Sequence, residues 1–300
     1  MAAYCYYPGC SLRGTGIAYE ESLLAVFKLL HLPIEELRDW NCCGATSYMS
    51  IDEGSACVLS ARNLALARQL HYRDIVAPCS ACYLVLRKTQ DYVQRYPRIG
   101  RRVEESLGAG RLHVLNEVRV RHPLEVLHTD VGLAKIKARV LRQWPGGKVA
   151  CYYGCQMVRP YADGDPDHNP VRMDELMHAA GVSTVDFPLK TRCCGGTLTG
   201  TMPPVGIRLN EILLAEAHHR GAEAMVTVCP LCQYNLDAYQ SELRHRSKTF
   251  AEMPVFFFTQ VLGWALGGDP ARLGLKRAIS GRRQIAQWFP KQRAEAAAHV

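Results

Sequence analysis

Apolar positions along the chain follow two periods. Tyr19, Leu23, Val26, Phe27 and Leu30 fall at spacings of three and four, the stripe of a helix packed on a core. The same period runs through LSARNLALARQL at 59–70 and IRLNEILLAEAHH at 207–219. Between such segments stand short β-branched or aromatic runs: AAYCYY at 2–7, DIVAP at 74–78, VACYY at 149–153 and AMVTV at 224–228. These read as buried strands, as does Phe256 to Phe258. Strands alternating with helices predict an α/β fold with parallel strands, in which ligands gather at the carboxyl ends of the strands.

Length and composition narrow the class. Three hundred residues, 48% hydrophobic and 21% charged, are enough for two globular domains and exclude a largely disordered or fibrous chain. The opening MAAYCYYPGC has no basic segment leading into an apolar core, so no secretory signal is expected. The longest apolar stretch, 254–268, contains Thr259, Gln260 and Gly263 and falls short of the ~18 residues of a spanning helix. A soluble, cytoplasmic protein is the expectation. The net charge of +8 suits an acidic partner, an anionic substrate or an anionic surface, or simply a solvated exterior. The basic residues are scattered and form no nucleic-acid recognition motif.

Thirteen cysteines change the picture. From Cys10, thirty-one residues lead to Cys42-Cys43, and thirty-five more to Cys79 and Cys82; from Cys155, thirty-seven lead to Cys193-Cys194, and thirty-four more to Cys229 and Cys232. The flanks repeat with them: CYYPGC and CYYGC, then CCG with Gly44 or Gly195, then a helical segment, a short strand, and CSAC or CPLC. The chain is therefore a duplication, with expected domains at 1–145 and 146–300. Cys5 and Cys151 occupy related places in this reading and are expected in the core, as is Cys57 in its helix.

Five thiols per half weigh against a structural zinc, which takes four ligands and accepts neighbouring cysteines poorly. A thioredoxin-like CxxC needs neither a vicinal pair nor a fifth thiol. Iron–sulfur clusters offer several irons to adjacent cysteines and are the favoured reading, although the spacing matches neither common ferredoxin pattern. The CxxC pairs open helices near Ser80 and Leu231, whose positive ends stabilise anionic sulfur.

The ordered motifs YYPGCSL, DWNCCGATS, IVAPCSACY, YYGCQMVRP and FFFTQVLGWALG, spread over the whole chain, resemble the CCG domains of the B-type heterodisulfide reductase subunits and their bacterial relatives. The resemblance implies two pseudo-repeated cysteine-rich CCG domains, each a small parallel sheet with helices. It also implies two noncubane [4Fe-4S] clusters, with a disulfide bound between them. Cys10, Cys42, Cys43, Cys79 and Cys82 would hold the first, and Cys155, Cys193, Cys194, Cys229 and Cys232 the second. The implied function is that of an iron–sulfur oxidoreductase subunit reducing a disulfide or oxidising thiols. Its partners would be the C-type iron–sulfur subunit and the A-type flavoprotein subunit of such a complex, and an acidic carrier such as a lipoyl protein. Alternatives are an electron-transfer subunit of a succinate or fumarate:quinone reductase, peripheral to a membrane through partners, and a non-catalytic relay.

Arg159 and His168 are the candidates for binding an anion or donating a proton, and Lys190 and Arg192 for screening cluster charge. Arg13 stands where relatives commonly carry glutamate. No GxGxxG fingerprint is present, so flavin or nicotinamide would belong to a partner. The segment RRQIAQWFPKQRAEAAAH at 282–299 is a candidate interfacial or docking helix interrupted by Pro290.

Overall fold

The computed structural model describes residues 4–45, 47–110, 112, 118–162 and 164–290. In the first half, β1 (Tyr4–Tyr6), β2 (Ile34–Glu36), β3 (Asp74–Val76) and β4 (Arg119–Arg121) form a parallel sheet in the order β2-β1-β3-β4. In the second, β5 (Val149–Tyr152), β6 (Ala224–Thr227) and β7 (Val255–Phe257) form a parallel sheet in the order β5-β6-β7. A parallel bridge from Val149 to Thr184 fills, beside β5, the place that β2 takes beside β1. The fold is thus α/β with two pseudo-repeated halves, as the periodicity predicts.

Register corrects one detail of the repeat. Tyr6 pairs with Val76, three residues before Cys79, whereas Cys151 pairs with Val226, three before Cys229. Cys151 is therefore the counterpart of Tyr6, and Cys5 that of Ala150. Because side chains alternate across a strand, Cys5 and Cys151 project to opposite faces. Both are completely buried, and desolvation drives both thiols upward, Cys5 to about 12. Cys57 is buried with Ala61, Ala65, Val103 and Leu107 in a separate small cluster.

The main core does not stop at the boundary between the halves: one cluster of buried residues contains Tyr4, Phe27 and Ile75 together with Val149, Phe256 and Val261. The helix Phe258–Ala265 packs on the helix Ile17–Leu29, where the buried Ser22 and Thr259 hydroxyls meet at 2.6 Å. Phe256 and Phe257 lie in β7, but Phe258 opens this helix, and all three are buried. Trp288 and Phe289, from the C-terminal candidate helix, pack on Trp144 and Phe256 of the chain itself; the remainder of that segment, 291–299, lies outside the described residues. Among the described residues no helix is long and apolar enough to cross a membrane.

Candidate cluster sites

All ten repeated cysteines stand beyond the carboxyl ends of parallel strands. β1 and β5 run into turns where Gly9 (φ +64°) and Gly154 (φ +74°) adopt left-handed backbone just before Cys10 and Cys155. A Cβ on Gly9 would lie 2.9 Å from Cys82 Sγ, and one on Gly154 would lie 3.0 Å from Cys232 Sγ. Each glycine is needed twice over, for the turn and for the approach of the sulfur. β3 and β6 lead to Cys79 and Cys229, which precede the helices Ser80–Arg95 and Pro230–Ala238 in extended conformation.

The adjacent cysteines divide their directions. Cys42 and Cys193 are exposed and accept the N–H of Gly44 at 3.5 Å and Gly195 at 3.3 Å. Cys43 and Cys194 are buried and meet Cys82 at 3.3 Å and Cys232 at 3.5 Å. Each half therefore has a floor of three buried thiols, 43, 79 and 82 or 194, 229 and 232, while Cys10 and Cys42 or Cys155 and Cys193 reach toward solvent. Tyr7 and Tyr152, three residues before the first cysteine of each set, fasten the vicinal pair: their hydroxyls donate to the carbonyls of Asn41 at 2.8 Å and Arg192 at 2.7 Å. The repeated aromatic run was the visible signal for these residues, although their partners were not.

Proton sharing within each floor splits the thiols. The hydrogen bond from Cys232 lowers Cys194 to about 6, helped by the Gly196 N–H and the Asn235 amide, while Cys232 is pushed well up. Cys43 is likewise held down, first by Cys42 and then by Cys82. Asn235, whose Nδ2 lies 3.5 Å from Cys194 Sγ, has Val85 at the corresponding place of the first half. The two sites are thus unequal in hydrogen bonding to sulfur.

The sites also face one another. Gly16, just beyond the turn carrying Cys10, is so close to the second CxxC helix that a Cβ would meet Pro230 Cβ at 2.9 Å. Reciprocally, Tyr161, after Cys155, donates to Asp91 at 3.3 Å from beneath the Arg87 guanidinium, on the first CxxC helix. At the centre sits His122. Its Nδ1 accepts the Leu124 N–H at 3.1 Å, which places the proton on Nε2, 2.9 Å from the Pro78 carbonyl and beside that of Val228. These carbonyls immediately precede Cys79 and Cys229, so one ring ties both CxxC motifs together.

Burial lowers the His122 pKa to about 4. The unfolded chain binds this proton near pH 6.5 and the folded one does not, so stability is full above about 6.5 and declines as pH falls toward 4. We expect a loss of about 2 kcal/mol between pH 7 and pH 5 from this group alone. Urea unfolding at the two pH values, compared with His122→Phe, checks it: the variant should have a smaller difference between them.

Other sequence candidates are distributed differently. Arg159 donates to the Thr191 carbonyl at 2.7 Å and so reaches the loop before Cys193. His168 stands on the surface, its side chain 84% exposed and paired with Asp167, and is not brought among the thiols. Lys190 is buried and engaged by Asp174 and the Pro170 carbonyl, whereas Arg192 is exposed. Arg13 is neutralised by Glu20 and Glu36.

The donor set fits a multi-iron group. Each half supplies five thiols, three buried and two reaching outward, with Gly9 and Gly154 leaving room for the sulfurs of Cys82 and Cys232; several irons can take up such a set, whereas one tetrahedral ion takes four. Two fully buried hydroxyls, that of Ser80 next to Cys79 in the chain and that of Tyr19, on which the charges of Cys229 and Cys79 act, have no hydrogen-bond partner, which suits a neighbouring group rich in acceptor sulfur.

Fold and site together define a duplicated α/β cysteine-rich protein with two facing thiol sites. The CCG cysteine-rich domain family matches residues 4–87 and 149–237. The chain belongs to the family of iron–sulfur proteins related to the B-type subunits of heterodisulfide reductase. It is 30% identical to a protein of Archaeoglobus profundus described as like the B-type heterodisulfide reductase subunit, over 91% of this chain and 93% of that one. Identity to the 8-methylmenaquinol:fumarate reductase membrane anchor subunit of Wolinella succinogenes is 29%, over 92% and 96%. The B-type subunit of a ferredoxin/F420H2-dependent CoB-CoM heterodisulfide reductase of Methanosarcina acetivorans is 27% identical, over 92% and 93%. A crystal structure of a hypothetical protein from Helicobacter pylori shares the fold, with a TM-score of 0.74 at 13% identity; the match covers 92% of this chain and 51% of that one.

Proposed function

We propose that the chain is the disulfide- or thiol-handling subunit of a heterodisulfide reductase-like complex, with one noncubane [4Fe-4S] cluster in each half. Residues 1–145 and 146–300 are the two cluster domains. Cys10, Cys42, Cys43, Cys79 and Cys82 hold the first cluster, and Cys155, Cys193, Cys194, Cys229 and Cys232 the second. The observation that carries this reading is the repeated cradle: three buried and two outward thiols beside a left-handed glycine that leaves room for a CxxC sulfur, built twice, with the two CxxC segments tied together by His122. Such clusters transfer electrons singly, so a pair held by these ten cysteines would supply the two electrons that cleaving one disulfide requires, with two protons completing two thiols.

The chain's own groups hold and shield the site. The Gly44 and Gly195 N–H groups stabilise the outer sulfurs, Tyr7 and Tyr152 position the vicinal pairs and keep water from the floors, and the CxxC helices direct their positive ends at the buried sulfurs. Arg159 positions the loop before Cys193. The +8 charge suits an acidic carrier, such as a lipoyl protein, and electron-transfer partners comparable to the C-type iron–sulfur and A-type flavoprotein subunits of heterodisulfide reductase. The Wolinella relative favours a second reading, in which the chain passes electrons in a fumarate:quinone reductase at a membrane.

Iron and acid-labile sulfide on anaerobically purified protein, with EPR after oxidation in the presence of a candidate dithiol, test the proposal. About eight irons per chain and a paramagnetic signal dependent on the thiol are expected. Zinc, or about four irons without a thiol response, defeats it; quinone reduction by the assembled complex without such a response selects the second reading.

A further inference from the structure

Tyr19 occupies an unusual place between the sites. It belongs to the first half, in the opening turn of the helix Ile17–Leu29, yet its ring stacks on Phe257 of the second, with centroids 4.4 Å apart and planes at 12°. Phe257 pairs in register with Thr227, two residues before Cys229. The Tyr19 N–H bonds the carbonyl of Gly16, the residue pressed against Pro230. Two independent contacts thus leave one intervening residue, Phe257 or Gly16, between Tyr19 and the segment of the second CxxC. The thiol charges acting on its hydroxyl are those of Cys229 and then Cys79, one from each half.

The side chain is completely buried and its hydroxyl has no partner. A buried hydroxyl without an acceptor is destabilising, a cost the fold would avoid by placing phenylalanine there. The ring stacks on Phe257 and meets Phe258 edge to face, and the sulfur acceptors near the hydroxyl are those of Cys229 and, after it, Cys79.

We propose that Tyr19 donates a hydrogen bond from the first half to a sulfur of the second-half cluster, at the seam between the sites, and raises that cluster's reduction potential. Tyr19 is a positioning and tuning residue: it forms no bond to the substrate. The inference rests on the two-cluster reading above. Hydrogen bonds to sulfur favour the more negatively charged, reduced state. Removing this one should lower the reduction equilibrium constant about tenfold, a shift of about 59 mV for a one-electron couple.

The experiment is a redox titration followed by EPR on full-length wild type, Tyr19→Phe and, as a control, Tyr72→Phe, whose hydroxyl bonds Glu35 on the surface. The second-half signal is identified by its absence in Cys232→Ser. Tyr19→Phe should retain wild-type iron and show the negative shift in that signal, while Tyr72→Phe shows none. An unshifted potential at full iron content overturns this inference alone, as does loss of iron in Tyr19→Phe, which would make the hydroxyl structural. Iron-free wild type would instead overturn the underlying cluster reading.

Discussion

Cys82→Ser should reduce the iron content of the chain from about eight atoms to about four and depress disulfide turnover beyond the 10–100-fold typical of lost outer-shell contacts. Cys82 has an enclosed sulfur: it meets Cys43 Sγ at 3.3 Å, faces Gly9 and is almost wholly buried. Serine is nearly isosteric, so the variant retains the helix Ser80–Arg95 and loses the soft ligand. Cys232→Ser, in the same setting against Cys194 and Gly154, should remove the other half of the iron. Cys57→Ser provides the contrast, because that thiol is buried away from both sites; it should cost stability and leave iron unchanged. Metal analysis and EPR of the three variants decide the matter. Equal iron in Cys82→Ser and wild type would eliminate the first site.

The contrast between these cysteines was legible in the sequence, because ligands repeat with their flanks and packing cysteines do not. The strands β1, β3, β5 and β6 were equally plain, as apolar runs ending at a glycine or a cysteine. β2 and β4 were not: Ile34-Glu35-Glu36 and Arg119-Val120-Arg121 carry charges that a buried-strand pattern rejects. β4 tolerates them because Arg121 is met by Glu125 and Asp130, partners supplied by tertiary structure. Aligning the halves by their aromatic runs equated Cys5 with Cys151, whereas counting back from the ligand cysteine gives the observed register. The roles of His122 and Tyr19 depend on the meeting of the halves and leave no periodic trace. Of the two candidates for anion binding or proton donation, Arg159, which follows the second-cluster strand, reaches the loop before Cys193, whereas His168, in a turn-rich stretch, stays on the surface.

The two turn glycines allow conformational strain to be separated from sulfur contact. Gly154 and Gly221 both have left-handed backbone, φ +74° and +79°, so an alanine at either costs about 1–2 kcal/mol. A Cβ at Gly221 meets nothing within 4 Å, but one at Gly154 reaches Cys232 Sγ at 3.0 Å. Cys232 cannot retreat freely, because it is buried and its sulfur is in contact with Cys194. Gly221→Ala should therefore lower the Tm by several degrees, at about 2–4 °C per kcal/mol, and keep all its iron. Gly154→Ala should lower it further and lose about half the iron, because the methyl group displaces the sulfur from its ligating position. Gly9→Ala should do the same to the first site, where the approach to Cys82 is 2.9 Å. Thermal unfolding and iron content measured together distinguish the cases: equal iron in Gly154→Ala and Gly221→Ala would mean that the glycine serves the turn alone and that the cradle is not what seats the cluster.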